Sequence, residues 1–454
     1  MAKKNKVVYL CSECGYESPQ WQGQCICGEW NTMKEMTVKP LEEKDSRRRS
    51  LTDTKPVKLN EVGTEGYQRI DTGINELNRV LGGGMVIGSL TLISGEPGIG
   101  KSTIIIQAAN FISKKYGKTL YVSGEESEEQ IKLRADRVCD GISDDLLIYS
   151  ETNMERILAA CENVKPKFLI IDSIQTVFSD ETDSAPGSVS QIRTCGNLLM
   201  RIGKTSRIPI FIVAHVTKTG DLAGPKILEH LVDCVLNFTG ERDQDLRILR
   251  AYKNRYGTTD EIGAFKMCEE GMTEVTNLSG SLLENTDNNV EGSVVSAIYE
   301  GSRAVFFEIQ ALVTPANVGF ARRNSVGIDS NRVSMILAVL EKKVGLSLLN
   351  YDVYVNVVGG MKPDSTSTDL AVALAIYSSA SGKYAAEKTF AVGEVGLTGD
   401  LRTIRNVDKI ISESERLGYE NVVLPNRNPK EVFKKVKIAN VKTLNEAIKA
   451  YFKE

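Results

Sequence analysis

No apolar run in the 454-residue chain approaches the roughly 20 residues that a helix needs to cross a bilayer, which argues against a membrane protein. The N-terminal stretch MAKKNKVVYLCSEC is basic, yet it has neither the apolar core nor the small-residue cleavage site of a secretory signal. An excess of either charge is also lacking: 56 Lys and Arg stand against 59 Asp and Glu, a formal net charge of −3. Nothing global therefore advertises nucleic-acid binding, and any such contact has to come from local basic loops. These absences leave a cytoplasmic location without a membrane partner as the expectation. What is present is ordinary for a globular protein, 41% hydrophobic and 25% charged residues, in a chain long enough for about two or three domains.

Residues Ser89 to Thr103 read SLTLISGEPGIGKST: a buried strand, a glycine-rich loop and the start of a helix. Gly95, Glu96, Pro97, Gly98, Ile99, Gly100, Lys101 and Ser102 fill every position of the P-loop pattern, and Thr103 follows. Glycine lets such a loop curl its backbone N–H groups around phosphate oxygens because it has no Cβ. Lys101 is placed to reach the β- and γ-phosphates and Ser102 to hold Mg²⁺. The helix expected over Lys101 to Lys115 adds its positive N-terminal end. The pattern points to nucleoside triphosphate binding.

Four of the nine cysteines fall between Cys11 and Cys27; the other five are scattered singly and read as small buried hydrophobes. Cys11 and Cys14, then Cys25 and Cys27, provide four thiolates in a segment too small to fold by core burial, which suits a structural zinc ion. The second pair encloses one residue where a zinc ribbon normally has two. Four cysteines leave no open coordination position, so no catalytic zinc is expected. Residues 36–58, including EEKDSRRRSLTDTKPVK, are polar and aperiodic and read as a linker.

From Asn60 to about Val275 apolar runs alternate with helical patterns, as in a parallel sheet covered by helices. The strand Phe168 to Asp172 ends in a carboxylate, which matches a Walker B strand whose aspartate joins the Mg²⁺ shell. The strand beginning at Thr119 runs straight into Glu125 and Glu126, and one of these is the candidate to orient or deprotonate the attacking water. A later strand, Ile208 to His215, leads into Thr217 and Lys218; His215 and Thr217 are candidates to sense the γ-phosphate. In LRAYKNRYG, strand alternation puts Lys253 and Arg255 on one face. If that edge meets a neighbouring subunit's P-loop, the two cations are catalytic fingers for the transferring phosphate.

The ordered set of P-loop, paired glutamates, Asp172, HVTK and KNRYG resembles the bacterial RadA (Sms) recombination ATPases, as do TGINELNRVLGGG from Thr72 to Gly84 and the cysteine cluster. The family's hallmark is KNRFG, with Tyr256 here in place of Phe. The resemblance spans essentially the whole chain. It implies an α/β protein with a RecA-type P-loop ATPase core, an N-terminal four-cysteine zinc ribbon and a C-terminal Lon-protease-like domain. The expected boundaries are 1–35 for the ribbon, 36–58 for the linker, 59–276 for the ATPase and 285–454 for the last domain. It also implies ATP, Mg²⁺ and Zn²⁺ as ligands and a hexameric ring of identical chains. Single-stranded and branched DNA and a RecA-type recombinase are the implied partners. The motor would translocate on single strands and promote branch migration. The segments Ser179 to Arg193 and Lys218 to Lys226, carrying Arg193, Lys218 and Lys226, correspond to loops lining a DNA channel and read as mobile.

The C-terminal part shows strands over Tyr351 to Gly359 and Thr389 to Leu397, an apolar helix over Thr368 to Ala380, an amphipathic helix over Asn406 to Leu417, and a short strand at Asn421. Matched to the Lon domain, Ser367 falls at the nucleophile and Asp408 at the general base, with Lys409 one residue, about a quarter-turn, aside. A serine without its lysine is a weak nucleophile, so this domain is expected to be proteolytically silent, a ring scaffold or a second DNA surface using Arg322 and Arg323. The rival readings are an ATP-dependent Lon-type protease and a RecA-like regulatory switch.

Overall fold

The computed structural model describes residues 6–11, 17–18, 20–25, 28–38, 58, 68–215, 225–240, 245–284, 286, 290–316, 321–363, 365–385, 388–426, 433 and 435–452. Two compact units result, and the chain passes between them several times: residues 1–239, 249–259 and 268–272 form one, and 240–248, 260–267 and 273–454 the other.

At the N-terminus a three-stranded antiparallel sheet has Lys6–Cys11 between Glu17–Ser18 and Met33–Val38. The last strand runs to Val38, past the expected ribbon boundary at residue 35. Cys11 and Cys25 are buried together with Met33, against Tyr9.

The central sheet takes the spatial order Leu146–Ser150, Thr119–Ser123, Phe168–Asp172, Ile210–His215, Leu90–Gly95, Cys234–Thr239, Leu246–Asn254, Ile262–Cys268 and Gly271–Glu274. The first six strands are parallel. Leu90–Gly95, Thr119–Ser123 and Phe168–Asp172 are buried along their whole length, which is why they read as continuous rather than alternating apolar runs. Neither neighbour of Leu90–Gly95 is adjacent to it in sequence, so a crevice opens beyond its carboxyl end, where parallel α/β sheets bind ligands.

Helix ends on this sheet are treated differently. Ser127 and Gln130 form a reciprocal capping box on Glu128–Val138, and Ser188 caps Val189–Ser206 through the Gln191 amide. By contrast Lys101–Tyr116 follows Gly100, at φ 112°, with no side-chain cap. Its first N–H groups are left for an anion.

The second unit has a seven-stranded sheet in the order Arg323–Val326, Tyr351–Val357, Arg303–Pro315, Ser293–Glu300, Thr389–Ala391, Asn421–Pro425 and Lys437–Val441. The helix Asp369–Ser381 is buried almost all round, so its apolar residues form no stripe. The strand read from sequence as Thr389 to Leu397 is broken. Thr389–Ala391 joins the main sheet, while Glu394–Val395 pairs with Leu401–Arg402. The reason lies at Gly393, whose carbonyl accepts from Leu370 N (3.0 Å) and whose N–H donates to Ser367 O (2.8 Å). These bonds turn the chain toward the helix start and out of the sheet.

Asp369 anchors the same region. Its carboxylate, 2% exposed as a side chain, receives the Arg332 guanidinium and the Val395 amide (3.2 Å). Removing one partner of a buried pair strands the other. Arg332→Ala is therefore expected to lower the stability of this unit by about 3 kcal/mol in urea unfolding. Replacing both residues with apolar ones of similar volume should recover most of the loss.

Candidate functional site

The loop Gly95–Gly100 leaves the carboxyl end of the central strand through three glycines at positive φ, 153° at Gly95, 81° at Gly98 and 112° at Gly100. A Cβ at Gly95 would stand 3.0 Å from the Phe238 carbonyl, so close strand packing excludes a side chain there, whereas Gly98 faces open space. Lys101, buried to 3% exposure, turns its ammonium back into this loop and donates to the carbonyls of Gly95 (2.8 Å) and Glu96 (2.9 Å). Burial pushes its pKa down to about 8, against the opposing pull of Asp172 and Glu125.

Ser102 Oγ donates to Asp172 Oδ2 at 2.8 Å, which brings the first helix residues and the end of Phe168–Asp172 to one point. Tyr121 also donates to Asp172 Oδ2. Burial, reinforced by the Asp172 charge, raises the Tyr121 hydroxyl well above its usual range, so it remains a proton donor.

Sequence left Glu125 and Glu126 equivalent; their surroundings differ. Glu126 is held in a two-pronged pair with Arg134, whose charged form the carboxylate stabilises. Glu125 receives the Ser173 hydroxyl and lies 3.5 Å from His215 Nε2. The turns carrying these groups interlock: a Cβ on Gly124 would stand 2.0 Å from Thr176 Oγ1. His215 Nδ1 and Gln175 Oε1 are buried and have no hydrogen-bond partner among the described residues, while Gln175 Nε2 donates to the His215 carbonyl (3.3 Å). Lys101, Ser102, Asp172, Glu125 and His215 thus converge on one sheet edge. Thr217 and Lys218 lie outside the described residues.

Lys253 and Arg255 lie elsewhere. Lys253 Nζ donates to the carbonyls of Glu229 (2.6 Å) and Val232 (2.9 Å), and Arg255 pairs with Asp233 at 3.0 Å. Burial, then repulsion from Arg255, lowers the Lys253 pKa. The other oxygen of Asp233 accepts from Leu90 N at 3.1 Å. Leu90 begins the strand that Gly95 ends, so both cations sit at the edge of the sheet opposite the P-loop.

Of the two loop segments, the first is ordered by one side chain. Gln191, 1% exposed, accepts from Ser179 N (2.9 Å) and donates to the carbonyls of Ser179 (3.1 Å), Thr182 (2.8 Å) and Ser184 (3.0 Å). The helix Val189–Ser206 begins inside the segment, and Arg193 is exposed on it. The composition suggested a mobile loop; in the structure a buried amide spans it, its two N–H groups shared among the three carbonyls. In the second segment residues 218–224 lie outside the described set, and Pro225–Leu231 is helical.

Of the four clustered cysteines, Cys14 and Cys27 lie outside the described residues; Cys11 and Cys25 are within the core of the small sheet. Among the described residues no group of three or more metal-ligating side chains occurs, and no helix is long and apolar enough to cross a membrane. The scattered Cys161, Cys195 and Cys234 are buried, and burial pushes each thiol up to about 12. In the second unit Ser367 Oγ accepts from Ser365 Oγ at 2.9 Å, and no lysine bonds it among the described residues. Asp408 has one buried carboxylate oxygen without a partner among the described residues, and Lys409 is exposed.

Several contributors escaped sequence reasoning. Ser173 had a usable signal, since it follows the Walker B aspartate directly. Tyr121 and Arg134 had none, because strand pairing and a helix packed beside it bring them in.

Fold and loop together define a P-loop ATPase. Residues 55–221 match the AAA domain model, 9–35 the rubredoxin metal binding domain and 316–428 the subunit ChlI of Mg-chelatase. The DNA repair protein RadA of Bacillus subtilis is 48% identical over 94% of this chain and 93% of its own length. That of Halalkalibacterium halodurans is 48% identical over 94% of both, and that of Listeria monocytogenes 45% over 99% of both. The chain belongs to the RadA family of DNA repair proteins. The RadB recombinase crystal structure aligns at TM-score 0.37 and 20% identity, over 45% of this chain and 99% of that one.

The Gln191 bonds generate one prediction. Gln191→Leu removes the accepted bond and the two N–H donors shared among three carbonyls, each full bond worth about 1 kcal/mol, and should release residues 179–184 to limited proteolysis and at least tenfold faster amide exchange. The central strands should stay protected.

Proposed function

We propose that this chain is the ATP-driven motor of a DNA repair and recombination pathway, acting on single-stranded and branched DNA beside a RecA-type recombinase. It is an ATP hydrolase of the RadA type. The observation that carries the motor reading is the convergence of Lys101, Ser102, Asp172, Glu125 and His215 at one sheet edge, with Lys253 and Arg255 at the opposite edge.

The residues present suit a triphosphate. The helix start is uncapped, the surface over Gly98 is open, and among the described residues the Lys101 ammonium is bonded to loop carbonyls alone. Ser102 and Asp172 offer the oxygen ligands that Mg²⁺ prefers. Bound there, Mg²⁺ would neutralise charge on the phosphates. Tyr121 orients the Asp172 carboxylate. Glu125 is the acceptor for the attacking water's proton, held by Ser173 and His215, whereas Glu126 is committed to Arg134.

Lys253 and Arg255 cannot reach the P-loop of their own chain across a six-residue strand, about 20 Å long. They suit the site of the next subunit in a ring, for which a hexamer is the family expectation. Arg193, on the helix that follows the Gln191-bonded loop, is assigned with Lys218 and Lys226 to the DNA strand. Cys11, Cys14, Cys25 and Cys27 would hold zinc and close the ribbon, with the buried Cys11 and Cys25 already in its core. The C-terminal domain is read as a Lon-like fold without proteolysis, since Ser367 is bonded to another serine rather than to a lysine. Its Arg322 and Arg323 are candidates for further DNA contact. The motor would work in the cytoplasm.

Two measurements test this reading. Steady-state ATP turnover should rise with single-stranded DNA and lose that rise as salt increases, with Lys101→Ala as the inactive control. Lys253→Ala should lose the stimulated rate, and a wild-type rate indifferent to DNA at low salt would overturn the motor. Separately, Glu125→Gln should lower turnover by about 10²-fold or more with nucleotide still bound, while Glu126→Gln should cost under about tenfold. The reverse ranking would reassign the base.

A further inference from the structure

The only two tryptophans of the 454 residues, Trp21 and Trp30, both lie in the N-terminal ribbon, and both are largely exposed, 56% and 67%. Most of an indole is normally covered, because leaving it in water forgoes a large apolar burial. Here the two rings are brought together instead. Trp21 Cη2 and Trp30 Cζ3 stand 3.7 and 3.8 Å from the point a Cβ on Gly23 would occupy, so both indoles border the space that the absent side chain leaves.

The backbone holds that arrangement. Gln24 and Trp30 form an antiparallel bridge, Asn31 N donates to Gly23 O at 2.8 Å, and Cys25 N donates to Glu29 O at 2.9 Å. Gln24 Nε2 adds a bond to Gly28 O at 2.9 Å. Gln20 and Gln22, both exposed, adjoin Trp21 in sequence, and the exposed charged residues among the described ones of the ribbon are Glu29, Lys34 and Glu35. Among its described residues the ribbon offers flat π-faces and neutral hydrogen-bonding groups, with Lys34 as the one exposed cation.

We infer that Trp21 and Trp30, set about Gly23, form a stacking site for unpaired bases of single-stranded DNA, distinct from the phosphate-reading loops of the ATPase domain. This rests on the proposed function for the substrate class. Stacking on an aromatic face tolerates any base, the amides suit base edges, and with few cations the contact should depend weakly on salt. One stack is weak by itself; a site on the same chain as the motor adds to binding through its effective concentration.

The full-length protein supplies its own probe, because its tryptophan emission comes from these two residues alone. A labelled oligodeoxythymidine is titrated while label anisotropy reports binding and tryptophan emission, excited at the red edge to spare the tyrosines, reports stacking. Emission should be quenched in step with binding and stay quenched as salt rises for as long as the oligomer is bound. An abasic strand of equal charge should bind without quenching. Trp21→Ala or Trp30→Ala should weaken binding roughly 5- to 10-fold, Trp→Phe at either position should restore most of it, and Gly23→Ala should reduce quenching by placing a methyl against both rings. An oligomer that binds with emission unmoved, equal quenching by the abasic strand, or alanine variants that bind like wild type would each overturn the site while leaving the motor intact. Emission that responds to a recombinase protein but not to DNA would reassign the face to protein docking. Failure of the oligomer to bind at all by anisotropy would overturn both this site and the DNA-motor reading.

Discussion

The buried strand Leu90–Gly95 positions both ends of the ATPase unit. At its carboxyl end the chain must turn sharply while packed against the Phe238 carbonyl, and only glycine fits there. That turn leaves the helix Lys101–Tyr116 without a cap and aims its free N–H groups and Lys101 at one point. At its amino end Leu90 is bonded to Asp233, which also holds Arg255. One strand therefore fixes where phosphates fit and where the basic pair stands, and its length separates the two. A catalytic role for Lys253 and Arg255 then calls for a second copy of the chain, which makes assembly part of the proposed chemistry rather than an addition to it.

The carboxylates around the P-loop show how neighbours divide the work of similar groups. Asp172 receives hydroxyls from Ser102 and Tyr121, two neutral donors that orient it without cancelling its charge. Glu126 meets a guanidinium and is neutralised in a structural pair. Glu125 has a hydroxyl and an imidazole beside it in place of a guanidinium, and the proposed role as proton acceptor rests on that difference. The C-terminal unit illustrates the opposite case. There Ser367, at the expected nucleophile position, accepts from Ser365, and no lysine bonds it among the described residues.

The sequence by itself determined the P-loop, the parallel strands and the carboxylate ending Phe168–Asp172. Each of these depends on local stereochemistry or on a run of apolar residues, and both are written in consecutive positions. It also carried the family motifs, to which the 48% identity over nearly the whole chain answers. Only the tertiary structure distinguished Glu125 from Glu126, because Arg134 reaches Glu126 from a packed helix, at a spacing that no local rule encodes. Only tertiary structure brought Gln191 against the Ser179–Ser184 loop, a set of contacts that the loop's composition does not announce. The same holds for the broken strand at Gly393, where bonds to Ser367 and Leu370 outweigh the apolar run, and for the two indoles gathered about Gly23. Local propensity is read along the chain, whereas the partners of a side chain are set by whichever segments the fold brings beside it.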